Sequence, residues 1–583
     1  MEVALSGNEA IARGAFESGV LFAAGYPGTP GTEILEEIAK FADIHAQWSP
    51  NEKVAIDTAL GASLGGMRSL VAMKHVGLNV ASDTLMTVSY TGVNAGLVVV
   101  TADDPGMHSS QNEQDNRNYA KFAKIPLLEP SDSQEAKDSV RLALRISEMF
   151  DTPVLIKVTA RIAHSRSVVE ISRKRNALSP KRSYTRNAAK YVMIPANAKK
   201  RRLFVEKRLA RLKNFTENVP CNKIEWGKKN IGIVTSGISY QYAKEACPDA
   251  SFLKLGMTYP LPEYLIRRFA GNFPFLYIVE ESDPFLEEQI RAMGIRVKGK
   301  ELFPSVGELN PDLVKNGLLN KNSKSAISDY KRVPARLPLL CAGCSYLGLF
   351  YVLKKLNVTA IGDIGCYALG ALHPISSIDT CISMGSSIGI ASGLKKALKG
   401  ASKKKIVAVI GDSTFIHSGI TPLIDVVYNK CSGTIIILDN KTTAMTGGQN
   451  HPGTGVTLKE EKTAKIDYTR LAKGLGIKRV RTIDCYNLSE TEKILKEAIA
   501  DSRPSVIIAK NPCLLISKRK RTVPLHILPA LCVSCRACLK LGCSAILTKG
   551  GRPYIDTVLC TGCFLCRRIC PAGAIKVKRV EKQ

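Results

Sequence analysis

Short, predominantly apolar runs punctuate this chain, and between them apolar residues recur every three or four positions. Within residues 1–165 the runs are Val20–Ala24, which leads into Gly25-Tyr-Pro-Gly-Thr-Pro-Gly31, then Leu97–Val100 and Val154–Val158. Apolar strands set between amphipathic helices predict a parallel sheet covered on both faces. The same alternation returns in a smaller α/β unit at 225–310, carried by Ile231–Gly237 and Phe275–Glu281, and again at 335–515, with strands expected at Ile406–Ile410, Thr434–Leu438 and Val506–Ala509. Between the first two lies a connector, 166–224. After the third, the basic hinge Lys518–Arg521 leads into a cysteine-rich tail, 522–583. The tail contains an internal duplication, and no solenoid repeat is visible.

Length agrees with several cores: 583 residues exceed the ~250–300 at which single cores stop growing. Composition is that of an ordinary soluble chain, with 45% hydrophobic and 23% charged residues. No apolar run reaches the ~18 residues that cross a bilayer, and the first residues show no basic segment followed by an apolar stretch, so a cytoplasmic chain without membrane contact is expected. Seventeen cysteines in such a chain point to metal rather than disulfides.

The formal net charge is +31, but it is unevenly spread: residues 173–213 hold fifteen Lys/Arg against one acid, Glu206. That stretch, with Arg173-Lys174-Arg175 and Lys199-Lys200-Arg201-Arg202, lacks interleaved aromatics and any zinc-finger or homeodomain pattern. No nucleic-acid partner is therefore expected. The plain reading is a solvated basic connector, and a basic surface also steers an acidic redox partner by long-range attraction.

The tail carries the strongest chemical pattern: Cys532, Cys535, Cys538 and Cys543, then Cys560, Cys563, Cys566 and Cys570, followed by Pro571. Two halves of three close cysteines plus a remote one resemble the bacterial two-cluster ferredoxin, in which the fourth cysteine of each run ligates the other cluster. The resemblance implies a ferredoxin-like α+β tail with one [4Fe–4S] cluster on Cys532, Cys535, Cys538 and Cys570 and another on Cys560, Cys563, Cys566 and Cys543. Paired Cys-x-x-Cys motifs also build zinc sites, but overlapping triplets divide poorly into two of them. Ser544 stands after Cys543 where the pattern usually has Pro.

A second constellation lies upstream. Gly411-Asp412-Ser413 follows one apolar strand and Asp439-Asn440 ends another, with Asn440 28 positions beyond Asp412. A diphosphate carrying Mg²⁺ needs hard oxygen ligands at the C-terminal ends of parallel strands and a glycine that lets backbone approach phosphate. The pair resembles the thiamine diphosphate motif, with Ser413 in place of its second glycine, which implies Asp412, Asn440 and the Thr442 carbonyl as Mg²⁺ ligands. Thr446 and Gly447 follow, in a loop Thr442–His451 expected to close over the diphosphate.

Across nearly its whole length the chain resembles the alpha-subunit family of indolepyruvate ferredoxin oxidoreductases, within the 2-oxoacid:ferredoxin oxidoreductases. The residues that carry this are Gly25–Glu33, Met73–Asn79, Asp103–Glu113, Gly362–Tyr367, Gly411–Gly419 and Asp439–Gly447. The resemblance implies three α/β units plus the ferredoxin-like tail: a pyrimidine-binding domain at 1–165, a small domain like the C-terminal one of transketolase at 225–310, and a diphosphate- and Mg²⁺-binding domain at 335–515. It implies oxidative decarboxylation of an aryl pyruvate with coenzyme A, giving an aryl-acetyl-CoA, CO₂ and reduced ferredoxin, in a hetero-oligomer with a smaller beta subunit. Thiamine acts as a nucleophile only when a carboxyl group protonates its aminopyrimidine. By position that carboxyl is Glu52, in Trp48-Ser-Pro-Asn-Glu52, although a first-turn acid offsetting the helix macrodipole reads the same way.

By the same carry-over Thr29 and Thr32 lie near the thiazolium and substrate, and His75 and His108 near the pocket; each histidine is equally readable as a packing or loop residue, and neither takes an acid–base role. A third cluster is implied on Cys341, Cys344, Cys366 and Cys513, against the reading of all four as buried thiols. The other five, Cys221, Cys247, Cys381, Cys431 and Cys485, show no ligand spacing. Other 2-oxoacid:ferredoxin oxidoreductases are the nearest alternative. A non-oxidative thiamine decarboxylase leaves the clustered cysteines idle, and an electron-transfer subunit without catalysis leaves Glu52 and Asp412 idle.

Overall fold

The computed structural model describes residues 1–172, 175, 184–228, 230–319, 338–398, 405–517 and 522–577. Arg173, Lys174 and the Lys518–Arg521 hinge lie outside the described residues. The chain divides into two compact units, Met1–Pro334 and Ala335–Gln583.

The first unit is built on a seven-stranded sheet in the order Met257–Tyr259, Leu127–Leu128, Val154–Thr159, Leu97–Asp103, Ser69–Lys74, Phe22–Gly25 and His45–Trp48. Every pairing is parallel except that of Met257–Tyr259 with Leu127–Leu128. The central strands are buried along their whole length, which is why they read as predominantly apolar runs. Their C-terminal ends, at Gly25, Lys74, Asp103 and Thr159, form the edge where open parallel sheets bind ligands. Two features cross the boundaries expected from sequence. Arg166–Glu170 pairs back onto Glu2–Ser6. The edge strand Met257–Tyr259 comes from the 225–310 segment, which otherwise forms its own five-stranded sheet in the order Val297–Lys298, Leu276–Val279, Gly232–Thr235, Ser251–Lys254 and Lys223–Glu225.

A buried charge cluster joins these two sheets. Arg117, 1% exposed, pairs with Asp115 and, at 2.7 Å, with Glu280. Lys157 lies 3.2 Å from Glu129 and 3.9 Å from Asp103. Burial, offset in part by Lys157, pushes the carboxyls of Asp103 and Glu281 up to about 7.

The basic connector is solvated only in part. Its helix Pro195–Thr216 leaves Lys199, Lys200, Arg202, Lys207, Arg211 and Lys213 exposed and buries Val205, Arg208 and Leu212, while some cations of the connector bond to neighbouring elements. Arg208, 1% exposed, donates to the Asp151 carbonyl at 3.0 Å, Arg201 donates to the Tyr90 carbonyl and pairs with Asp151 at 3.1 Å, and Lys190 donates to the Val93 carbonyl at 2.7 Å. These acceptors lie at the C-terminal ends of helices His75–Thr91 and Ser133–Phe150, where unpaired carbonyls and the negative end of the macrodipole attract cations. Composition registers the charge, and only the fold shows that part of it is used for packing.

The second unit holds a five-stranded parallel sheet in the order Thr359–Ile361, Ile406–Gly411, Thr434–Asp439, Ser505–Lys510 and Arg479–Ile483. Beyond it, Leu525–Ile527 pairs antiparallel with Ile575–Val577, and Ile546–Lys549 with Arg552–Ile555. Two short helical segments, Ala537–Leu541 and Leu565–Ile569, complete a duplicated arrangement. The tail's Leu525, Leu541, Ile555, Leu565 and Ile575 share one apolar core with Tyr346, Leu349 and Phe350, so tail and α/β unit are packed as one body. Among the described residues no helix is long and apolar enough to cross a membrane.

Candidate active site

Asp412 and Asn440 stand side by side because their strands are neighbours in register: Gly411, one residue before Asp412, pairs with Leu438, two residues before Asn440. Both are buried, at 2% and 8% exposure. The Asp412 carboxylate accepts from the amides of Ser413 at 2.8 Å and Lys441 at 2.9 Å, and His451 Nε2 faces it at 3.4 Å. Asn440 Oδ1 accepts from the Thr442 amide at 2.9 Å. A Cβ on Gly411 would lie 3.0 Å from Tyr367, so this glycine admits the buried ring beneath the turn.

The following segment closes on itself. Thr443 N donates to Gln449 O at 2.9 Å, Thr442 Oγ1 reaches the same carbonyl at 3.3 Å, and Gly447 and Gly448 hold φ of 122° and 100°. Only glycine adopts such angles without strain. Thr446 Oγ1 is bonded to Gln449 Oε1. After Asp412 the helix opens into a π-turn at Phe415–Gly419, a form concentrated at functional sites.

These residues suit a metal-bearing diphosphate. Three oxygen donors, Asp412, Asn440 and Thr442, lie within one turn of two adjacent strand ends, and hard cations take such donors. A buried polar atom beside them, Asp439 Oδ1, has no hydrogen-bond partner. Buried polar groups left so call for a ligand or water. Lys441 and His451 are the residues that sequence reasoning missed; a lysine and a histidine in a loop carry no spacing signal, and their closeness to Asp412 follows from the strand pairing.

In the first unit Glu52 opens helix Glu52–Leu64, which Asn51 caps by accepting from Val54 N at 2.9 Å. It is 5% exposed, unlike a solvated first-turn acid. A Cβ on Gly77 would fall 2.5 Å from Glu52 Oε1, so Gly77 makes the space this carboxyl occupies. Thr32 is buried, its hydroxyl without a hydrogen-bond partner, and half-buried Thr29 precedes it in the Gly25–Gly31 loop at the ligand edge.

Lys74, at the same edge, runs past Gly28 and donates to the Ser109 carbonyl at 2.7 Å; burial, countered by Asp104, pushes its amine down to about 8. His75 is fully buried, its Nε2 3.2 Å from the Asn112 carbonyl, and burial lowers its pKa. His108 does not join this group. It lies at the surface, 60% exposed, 3.3 Å from Glu308.

Twelve of the seventeen cysteines fall into three sets, all within the second unit. Cys341, Cys344, Cys366 and Cys513 line one cavity, whose wall includes Asn440 and Ala444. The link is the backbone, since Cys513 N donates to the Asn440 carbonyl at 2.9 Å. Cys532, Cys535, Cys538 and Cys570 line a second cavity. Cys543, Cys560, Cys563 and Cys566 lie close enough that each negative thiolate would raise the others.

Burial pushes the thiols of Cys344 and Cys366 up to about 12 and 11, and that of Cys563 to about 11. Backbone amides aim at several sulfurs: Tyr346 at Cys344, Gly343 and Ala545 at Cys543, Leu565 at Cys563. Clusters are tuned by such bonds, and thiolates this deeply buried need a compensating positive charge. Among the described residues no three His, Cys, Asp or Glu side chains gather as they would around a single ion. The Cys341 and Cys532 sets ring voids instead, a shape that suits a multi-atom group.

Residues 13–210 match the family described as "Pyruvate flavodoxin/ferredoxin oxidoreductase, thiamine diP-bdg", and 363–509 match "Thiamine pyrophosphate enzyme, C-terminal TPP binding domain". Indolepyruvate oxidoreductase subunit IorA of Methanothermobacter marburgensis is 40% identical over 98% of this chain and 97% of its own length. The subunit IorA of Archaeoglobus fulgidus is 38% identical over 99% and 97%. The chain belongs to the indolepyruvate oxidoreductase subunit IorA family. A solved 2-oxoglutarate:ferredoxin oxidoreductase from Magnetococcus marinus, with 2-oxoglutarate, coenzyme A and succinyl-CoA bound, aligns at a TM-score of 0.46 and 17% identity over 55% of this chain and 65% of that one. As an IorA-family member the chain is the thiamine-diphosphate-dependent catalytic subunit of a 2-oxoacid:ferredoxin oxidoreductase.

Proposed function

We propose that this chain, with a smaller beta subunit, oxidatively decarboxylates aryl pyruvates with coenzyme A to aryl-acetyl-CoA and CO₂, passing two electrons to ferredoxin through three [4Fe–4S] clusters. The observation that carries the oxidative reading is the shared wall: the cavity ringed by Cys341, Cys344, Cys366 and Cys513 contains Asn440 itself. A one-electron carrier there adjoins the diphosphate-binding turn, an arrangement that a non-oxidative decarboxylase has no use for. The aryl substrate rests on the relatives named for indolepyruvate, which match the chain end to end.

When bound, thiamine diphosphate supplies the carbon nucleophile and electron sink for decarboxylation. The chain's residues do the rest. Asp412, Asn440 and the Thr442 carbonyl would hold Mg²⁺ on the diphosphate, within the Gly411, Ser413, Thr446 and Gly447 turns. Glu52 would hold the proton shared with the aminopyrimidine, in the space Gly77 leaves. Thr29 and Thr32, on the loop at the ligand edge, would meet the thiazolium and substrate, and His75, buried and bonded to the Asn112 carbonyl, would position the 108–116 loop. Cys532, Cys535, Cys538 and Cys570 would hold one cluster, and Cys543, Cys560, Cys563 and Cys566 another.

The test is anaerobic: the chain purified with its partner receives indolepyruvate and coenzyme A, and viologen reduction is followed with and without thiamine diphosphate and Mg²⁺. Reduction that requires all four supports the reading, while aldehyde formation without reduction replaces it with a lyase.

A further inference from the structure

The three thiol sets are not equivalent. The Cys341–Cys344 turn abuts the set of Cys543: the Gly343 amide points at the Cys543 sulfur, and a Cβ on Gly343 would lie 2.1 Å from Thr561 Oγ1 and 3.5 Å from Cys563 Cβ. The short helices Ala537–Leu541 and Leu565–Ile569, which carry Cys538 and Cys566, pack together and join the Cys532 set to the Cys543 set. Of the eight tail cysteines Cys535 is the exposed one.

Its surroundings differ from those of Cys341, the other exposed thiol. Among the described residues, none that lines the Cys341 cavity is charged. Around Cys535, Leu531 and Val533 are 46% and 69% exposed, and Arg536 shares the cavity wall. Arg536 also donates to the Gly551 carbonyl at 3.3 Å, which ties the tip of the Lys549–Arg552 hairpin to the cysteine loop. Lys549 and Arg552 are exposed there. Residues 522–577 hold seven Lys/Arg and one acid, Asp556, whose carboxylate is engaged by the amides of Val558 and Leu559 at 2.8 and 3.2 Å.

Resting on the oxidoreductase reading above, we propose that a small acidic one-electron carrier protein docks on the face formed by Leu531, Val533, Arg536 and the Lys549–Arg552 turn, over Cys535. Apolar residues ringed by fixed positive charge are the anatomy of such a contact: the charges steer the partner and the apolar centre excludes water. Cys532, Cys535, Cys538 and Cys570 would hold the cluster that gives up one electron, being oxidised, as the carrier takes it up and is reduced. No bond forms or breaks and no proton moves. Two such transfers discharge the two electrons released per 2-oxoacid.

The experiment uses the complete enzyme with its partner subunit and an oxidised acidic plant-type [2Fe–2S] ferredoxin as probe. Binding is measured by calorimetry at rising salt, for the unaltered enzyme and for Lys549→Glu/Arg552→Glu. The expected result is a Kd that weakens with salt in the unaltered enzyme and rises tenfold or more in the variant, with KM for ferredoxin rising in step. Iron content should not change, and the rate with benzyl viologen, a small dication, should not fall. Equal Kd and KM in the two enzymes overturn the proposal. Loss of the partner subunit from the variant also overturns it, since that subunit then covers the face. Binding needs no turnover, so failure of the functional reading shows separately, as absent viologen reduction in the unaltered enzyme.

Discussion

Glu52 shows how much a residue's role depends on neighbours distant in sequence. At the start of a helix a glutamate ordinarily sits in water and offsets the macrodipole. Here it is buried in a space that exists because residue 77 has no side chain. General acid–base catalysis contributes ~10²–10⁴-fold. Glu52→Gln, which keeps the shape and removes the titrating proton, is therefore expected to slow indolepyruvate-dependent viologen reduction by two orders of magnitude or more with iron content unchanged. A rate within threefold of the parent would remove Glu52 from the chemistry. Position alone singled out Glu52 in the sequence, whereas the requirement for Gly77 became visible only when the two were placed together.

At the scale of elements, strand pairing does what motif spacing cannot. Asp412, Asn440 and Cys513 come from three successive strand ends of one parallel sheet, in register, so the diphosphate turn and a thiol cavity share a wall. Cys513→Ser should lower the iron content by about a third, the share of one [4Fe–4S] cluster in three, and leave the other clusters' signals intact; an unchanged iron content would return Cys341, Cys344, Cys366 and Cys513 to packing.

The charge cluster between the two sheets of the first unit makes a different prediction. Burial raises Glu281 to about 7 in the folded state, above its unfolded value, so the folded protein binds the extra proton between about pH 4.5 and 7. Stability from this group is full below that window and is lost as pH rises through about 7. Glu281→Gln keeps an acceptor for the Leu309 amide, bonded at 3.0 Å, and never ionises. It should match the parent in denaturant unfolding at pH 4.5 and exceed it at pH 8, the gap growing by on the order of 1 kcal/mol per pH unit across the window. A gap that is flat with pH would show that Glu281 is not the titrating group.

For the whole molecule, cofactor and clusters are separable parts of one path. Removing Mg²⁺ and thiamine diphosphate with a chelator should leave iron and visible absorbance in place. The stripped enzyme should then bleach with dithionite and not with indolepyruvate plus coenzyme A, until Mg²⁺ and thiamine diphosphate are restored. Bleaching by substrate without them would mean that electrons reach the clusters by another way.

By itself the sequence determined the parallel sheets, because strands buried on both faces must be predominantly apolar. It also determined the two cysteine triplets and the Gly411–Asn440 pair, because a ligand turn must fall at a strand end and its spacing is local. The tertiary structure alone decided that the Cys341 set shares a wall with Asn440, that Met257–Tyr259 completes the first sheet, that His108 faces solvent while His451 faces Asp412, and that the basic connector sets some of its cations on helix ends. Each of those depends on contacts between segments tens to hundreds of residues apart, and a linear pattern records the kind of residue at a position without recording what is folded against it.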